Sequence, residues 1–112
     1  MSKTPGQQFY DEQLGYIYAG DVDGLIDNHY HEDALLVGFD LTVRGRDALK
    51  EHFRNYLKTI GKLTVKSTDK FQDTGDTLFF EASVVSNLGP AVVFDAFVLR
   101  DGKIVYHFTG VK

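Results

Sequence analysis

The sequence contains no cysteine, which excludes a disulfide scaffold, a zinc ribbon, an iron–sulfur site and a cysteine nucleophile together. No hydrophobic run approaches the ~20 residues that span a membrane. Basic residues are not in excess: twelve Lys and Arg stand against sixteen Asp and Glu, which argues against nucleic-acid binding. Residues 1–8 lack the apolar core of a signal peptide. We therefore expect a soluble cytoplasmic protein that binds neither nucleic acid nor membrane.

The overall composition is typical of a folded globular protein. Hydrophobic residues make up 43% of the chain and charged residues 25%. A length of 112 residues fits one domain, and no linker or repeat divides it. We expect a single domain over residues 1–112, with residues 1–6 as a flexible tail.

The first half of the chain has mainly helical periodicity. Apolar residues at three- and four-residue intervals predict a helix over 6–18. Asp21 is typical of an N-cap and predicts a second, shorter helix. Gly45 and Gly61 bound a third helix, which is the longest. Three helices are therefore expected.

Strand patterns occupy the rest of the chain. Two short strands, 35–39 and 41–44, precede the third helix, and the later strands are 63–71, 78–88, 91–100 and 103–111. Helices and strands segregate rather than alternate, which indicates an α+β fold with a mostly antiparallel sheet. The simplest packing curls this sheet around the helices as a cone with one open end.

Three stretches resemble a known family. They are 20–23 (GDVD) followed by 30–34 (YHEDA), then 44–49 (RGRDAL), then 101–108 (DGKIVYHF). Their order and spacing resemble the nuclear transport factor 2-like superfamily, and within it the SnoaL-like polyketide cyclases and ketosteroid isomerases. The resemblance covers the chain from about residue 7 and implies the cone-shaped fold. This superfamily includes enzymes, binding modules and assembly domains, so the fold alone does not decide function.

Asp95 is the strongest candidate for chemistry. It interrupts the apolar run 91–99, and an acid in a buried strand must be paired, hydrogen-bonded or protonated. The resemblance places Asp95 where ketosteroid isomerases carry the acid of their oxyanion hole. The alternative is a structural acid at a strand edge or subunit interface.

His107 is the expected partner of Asp95, and the pairing depends on the hairpin. A three-residue loop over 100–102 puts His107 directly opposite Asp95, on the same face of the sheet. A two-residue Asp101-Gly102 turn puts Phe108 there instead. The resemblance favours the first register, because the last-strand His of SnoaL-like proteins lies in the pocket. Many of these cyclases have an acid where this chain has Thr109.

The isomerase resemblance fails at two positions. The general base of ketosteroid isomerases aligns with Gly38, and Asp40, two residues later, is interpreted as a solvated turn residue. Their oxyanion Tyr aligns with Gln13 or Leu14. Classical steroid isomerisation is therefore not expected.

Histidines elsewhere are interpreted as structural. His29 and His31 have a spacing that could bind a metal on a strand, but at a helix end their rings diverge. We expect no metal and no cofactor. His52 is interpreted as a residue flanking the third helix's apolar stripe, and the face of Glu81 is left open.

The combined hypothesis is a SnoaL-like protein that binds a small hydrophobic carbonyl compound and moves a proton with Asp95 and His107. The expected ligand-binding residues are Gln13, Ile17, Phe53, Val93, Phe97, Thr109 and Val111. The alternative is a non-catalytic ligand-binding or assembly domain of the same fold.

An outer sheet face suggests a partner. With Asp95 inward, alternation sends four apolar residues of the same strand outward: Val92, Phe94, Ala96 and Val98. We expect a homodimer through this face. The alternative is a monomer in which segment 63–73 covers it.

Overall fold

The structure is a computed structural model that describes residues 4–112. Its three helices are α1 (Pro5–Ala19), α2 (Val22–His29) and α3 (Arg46–Ile60). Its six strands are β1 (Tyr30–Gly38), β2 (Leu41–Arg44), β3 (Thr64–Asp73), β4 (Thr77–Ser86), β5 (Gly89–Arg100) and β6 (Lys103–Val111). The predicted α+β class is confirmed, and all the predicted elements are present.

The helix ends follow the predicted local chemistry. The Asp21 carboxylate caps α2 by accepting a hydrogen bond from the Gly24 amide at 2.9 Å. The tail expected over 1–6 is wrong for residues 4–6, because Thr4 and Gln7 form a capping box that begins α1 at Pro5. Residues 1–3 of that expected tail lie outside the described residues.

The strands form one curved, unclosed sheet in the order β2-β1-β6-β5-β4-β3. The β1 and β6 strands are parallel, and all other neighbouring pairs are antiparallel. The sheet is therefore mixed, and its last four strands form the predicted meander. The three helices pack against its concave side as a cone.

The core lies between the helices and the concave face of the sheet. Phe97 on β5 is 1% exposed and packs its ring edge-on against Phe9 of α1 and Phe80 of β4. Leu25 and Ile26 of α2 are fully enclosed beside them. This apolar layer fixes which residues of β5 point inward.

The β3 strand does not cover the outer face of the sheet. It pairs with β4 at the sheet edge, so the alternative in which segment 63–73 folds over that face is wrong. Glu81, whose side was left open, lies on the outer side opposite Phe94 and pairs with Lys70 and Lys112.

Candidate functional site

The hairpin between β5 and β6 differs from both registers considered above. Asp101 and Gly102 form a two-residue turn, and both have positive φ angles, 53° and 77°. A bulge follows, because Leu99 pairs with Ile104 while Val98 pairs with Tyr106. One residue of β6 is therefore unpaired. The residues after it face the opposite side of the sheet from the one that a regular two-residue hairpin would give.

This bulge decides the neighbours of Asp95. Asp95 lies directly opposite Thr109, and His107 lies opposite Phe97, so the expectation of a direct Asp95–His107 cross-strand pair is wrong. The expectation of contact is nonetheless met, since residues two apart on neighbouring strands share a face. Nε2 of His107 lies 2.8 Å from Oδ1 of Asp95.

Both side chains are enclosed. The His107 side chain is 7% exposed and that of Asp95 is 15% exposed. The His107 ring stands edge-on to Phe97, which holds its orientation. The hydrogen bond engages Oδ1, and among residues 4–112 no group donates to Oδ2 of Asp95. The carboxylate therefore keeps one oxygen available to a ligand.

A mainly apolar cavity of about 270 Å³ contains this pair. Its lining includes every residue expected at the site: Gln13, Ile17, Phe53, Val93, Asp95, Phe97, His107, Thr109 and Val111. Tyr56 and Val111 line the cavity and are also exposed, so the cavity opens to solvent beside them. The structure brings the predicted residues together, while their roles stay predictions.

The α3 helix contributes two residues that sequence reasoning missed. His52 and Tyr56 line the cavity. His52 is half-buried beside Phe53, so it flanks the apolar stripe as interpreted and also faces the cavity. Their rings stack at 6.3 Å because residues four apart share a helix face. Burial lowers the pKa of His52, helped by His107, and burial raises the pKa of Tyr56. The four-residue spacing was the signal that could have identified them.

The positions that align with the catalytic residues of ketosteroid isomerases carry different residues here, as expected. Gly38 offers no side chain, and Asp40 is exposed in the turn between β1 and β2 and does not line the cavity. Gln13 lies inside and donates to the Tyr30 hydroxyl at 3.1 Å. Leu14 also lines the cavity. A steroid-isomerase base is thus missing from its usual place.

His29 has a packing role, whereas His31 lies on β1 and not at the helix end where it was expected. His29 stacks on Phe9 with ring centroids 3.9 Å apart and contacts Gln13 and Glu12. Within residues 4–112, no cluster of three or more His, Cys, Asp or Glu side chains is arranged to hold a metal ion.

Over the same residues, no helix has both the length and the apolar character needed to cross a bilayer.

The enclosed histidines predict a dependence of stability on pH. Burial lowers the pKa of both His29 and His52 below the ordinary value. As pH falls, these histidines are therefore protonated at a higher pH in the unfolded chain than in the folded protein. We expect the free energy of unfolding to be highest above pH ~6.5 and to fall as pH decreases towards 5. Urea denaturation at several pH values measures this slope. His52→Gln should flatten it, and an unchanged slope would contradict the burial argument.

The fold and cavity together define the class: a small α+β cone protein with an acid and a histidine in a mainly apolar pocket. The SnoaL-like domain family matches residues 7–107. The chain belongs to the SnoaL-like domain family.

Solved structures share this fold at low sequence identity. An NTF-2 like protein of unknown function from Burkholderia xenovorans LB400 is 20% identical, with a TM-score of 0.79, over 96% of this chain and 83% of that one. A candidate polyketide cyclase from Sinorhizobium meliloti is 16% identical, with a TM-score of 0.80, over 92% and 94%. A candidate isomerase of the SnoaL-like family from Agrobacterium tumefaciens C58 is 14% identical, with a TM-score of 0.81, over 98% and 99%. No curated protein matches the chain.

Proposed function

We propose that the protein binds a small, mainly apolar carbonyl compound in the cavity and transfers a proton at the carbon next to the carbonyl. Enolisation is the step shared by isomerisation and cyclisation of such compounds. Asp95 is the proton acceptor, and His107 is the group that orients it. The candidate cyclase and isomerase among its structural relatives are consistent with this class of chemistry.

One observation carries the proposal: an enclosed carboxylate faces an apolar cavity with one oxygen bound and the other open. Oδ2 of Asp95 takes the proton, and the C–H bonding pair becomes the C=C bond of the enolate. Charge then develops on the carbonyl oxygen, for which His52 and Tyr56 are the available donors. Because burial lowers the pKa of His52, its ring acts as a neutral donor at pH 7.

The cavity dimensions restrict the ligand. A volume of about 270 Å³ lies just below the range of ordinary small-molecule pockets. Its walls are mostly Leu, Ile, Val and aromatic side chains, and the polar groups are few. A ketone of one or two fused rings fits these properties. We therefore use 2-tetralone, a bicyclic ketone with exchangeable α-hydrogens, as the probe.

Binding is tested with a pair of variants on the same strand. Val93 lines the cavity, whereas its neighbour Val92 lies on the outer face. We expect 2-tetralone to shift amide signals of cavity residues in ¹⁵N spectra, and Val93→Phe to weaken binding about tenfold or more by filling the cavity. Val92→Phe is the control and should bind as the wild type does. Equal binding by both variants would place the ligand elsewhere and reject the proposal.

A second candidate function is ligand binding without turnover. The same probe separates the two, since a binding module holds 2-tetralone without exchanging its α-hydrogens.

In either case we propose that the protein pairs with a second copy of itself through the outer sheet face. This proposal is supported by two exposed aromatic rings beside Ala96 on that face: Phe79 at 56% and Phe108 at 43% exposure.

The outer face has features of a contact surface rather than of a solvated one. Phe94 lies over Gly110, where a Cβ atom would collide with its ring, and Phe39 stands edge-on beside it. Tyr106 and Phe108 stack along β6. A contiguous aromatic patch of this kind is uncommon on a monomer. A two-fold axis allows an identical patch to cover it.

A further inference from the structure

A chain of hydrogen bonds connects the cavity to the protein surface. From the inside it runs Asp95–His107 (2.8 Å), His107–Tyr30 (2.9 Å), Tyr30–Gln13 (3.1 Å), Gln13–His29 (2.9 Å) and His29–Glu12 (3.3 Å). The middle four side chains are buried, whereas Glu12 is 66% exposed. His29 and Tyr30 do not line the cavity. The proton transfer proposed above does not by itself require these outer members.

The donors and acceptors in the chain are set by Gln13. Its amide nitrogen only donates, so the Tyr30 oxygen accepts there and directs its own proton to Nδ1 of His107. Burial raises the pKa of Tyr30, which keeps that proton in place. Nδ1 of His107 is therefore an acceptor. Its ring proton sits on Nε2 and is donated to the Asp95 carboxylate.

The other end of Gln13 sets His29 in the same way. Its carbonyl oxygen accepts from Nδ1 of His29, which leaves Nε2 facing Glu12. In this arrangement Asp95 and His107 together hold one proton, and a protonated His29 completes the hydrogen bond to Glu12. Every member of the chain is then satisfied.

Turning the Gln13 amide over reverses the three bonds in the middle of the chain. Its nitrogen then donates to His29, its oxygen accepts from Tyr30, and the Tyr30 oxygen accepts from Nδ1 of His107. Asp95 and His107 must now hold two protons between them, while His29 is neutral and donates from Nε2 to Glu12. The two arrangements contain the same number of protons, which differ only in position.

We propose that Gln13 and Tyr30 are positioning residues that couple the protonation of the Asp95–His107 pair to that of His29. The inference rests on the proposed role of this pair. A protonated His29 favours the arrangement in which Asp95 is ready to accept a proton, and a neutral His29 favours the arrangement in which the pair is ready to donate one. By linkage, when the Asp95–His107 pair gains a proton, His29 binds its own extra proton less tightly.

Other titratable groups interact electrostatically with Asp95, His107 and His29, and their effects must be distinguished from this coupling. Tyr10 from α1 and Tyr56 from α3 act on Asp95, and His52 from α3 acts on His107. Glu12 is the charged group that acts on His29. Of these four, only Glu12 belongs to the chain, so the other three supply controls.

Side-chain ¹H–¹⁵N NMR of the ligand-free protein tests the proposal. Below the pH at which His29 loses its extra proton, we expect His107 to carry its proton on Nε2. Glu12→Gln removes the carboxylate that favours a charged His29. It should raise the titration midpoint of the pair by about 0.7 pH unit, the lower end of couplings between linked sites.

The Gln13→Met background makes the test specific. There the effect of Glu12→Gln on the pair should disappear, whereas the effect of His52→Gln, which acts across space, should persist. If Gln13→Met does not fold, Tyr30→Phe breaks the next link with the ring retained. An undiminished Glu12→Gln effect in either background, or none in the wild type, overturns the coupling. Since no ligand is present, this result is independent of whether 2-tetralone is bound or turned over.

Discussion

Replacing Asp95 by Asn is expected to slow deuterium uptake into 2-tetralone by about a hundredfold or more, the ordinary contribution of a general base. Asn retains the shape and an oxygen that accepts from Nε2 of His107, so the packing around Phe97 is preserved. It has no basic oxygen to take a proton. ¹H NMR of the α-hydrogens in D₂O measures the rate.

The control for this substitution lies on the same hairpin. Asp101 is exposed in the turn and has a positive φ angle that Asn also tolerates. Asp101→Asn should exchange the probe at the wild-type rate, and both variants should unfold near the wild-type temperature. If Asp95→Asn is folded and equally fast, Asp95 is not the base. If it is unfolded, the acid is mainly structural.

The second large effect is expected at the outer sheet face. Phe94→Lys places a positive charge in the aromatic patch, opposite Glu81. Because Glu81 already pairs with Lys70 and Lys112, this third positive charge strongly disfavours a buried interface. We expect the wild type to be a dimer of about 25 kDa, twice the 12.6 kDa chain, and the variant to be a monomer. Light scattering at micromolar concentration measures both masses.

A matched variant separates charge at the interface from charge on the surface. Phe39 stands next to Phe94 but is 88% exposed at the turn after β1. Phe39→Lys should reduce association less than Phe94→Lys does. A wild-type mass of 12.6 kDa that persists on concentration would contradict the dimer.

The fold was predictable because its signals are local. Glycines bound α3, Asp21 caps α2, and turn residues separate the long strands, so each element follows from a short window of sequence. The expectation that α3 is the longest helix is wrong, because α1 and α3 both have 15 residues. The boundary errors have local causes as well. At α1, the capping box at Thr4 begins the helix one residue earlier than the apolar periodicity indicates.

The site was only partly predictable. An acid in an apolar strand identified Asp95 from its neighbours alone. The extra residue in β6 follows no pattern in the sequence, and it changed the partner of Asp95 from His107 to Thr109 while keeping both on one face. The chain through Tyr30, Gln13 and His29 depends on α1 packing over α2, which hydrophobic periodicity does not encode.

The most direct test of the proposed function follows the α-hydrogens of 2-tetralone in D₂O with the wild-type protein. We expect deuterium uptake above the buffer rate, proportional to protein concentration, saturable in the probe and lost when Val93→Phe fills the cavity. A protein that binds the probe in the cavity but leaves uptake at the buffer rate would contradict proton transfer and favour a binding module.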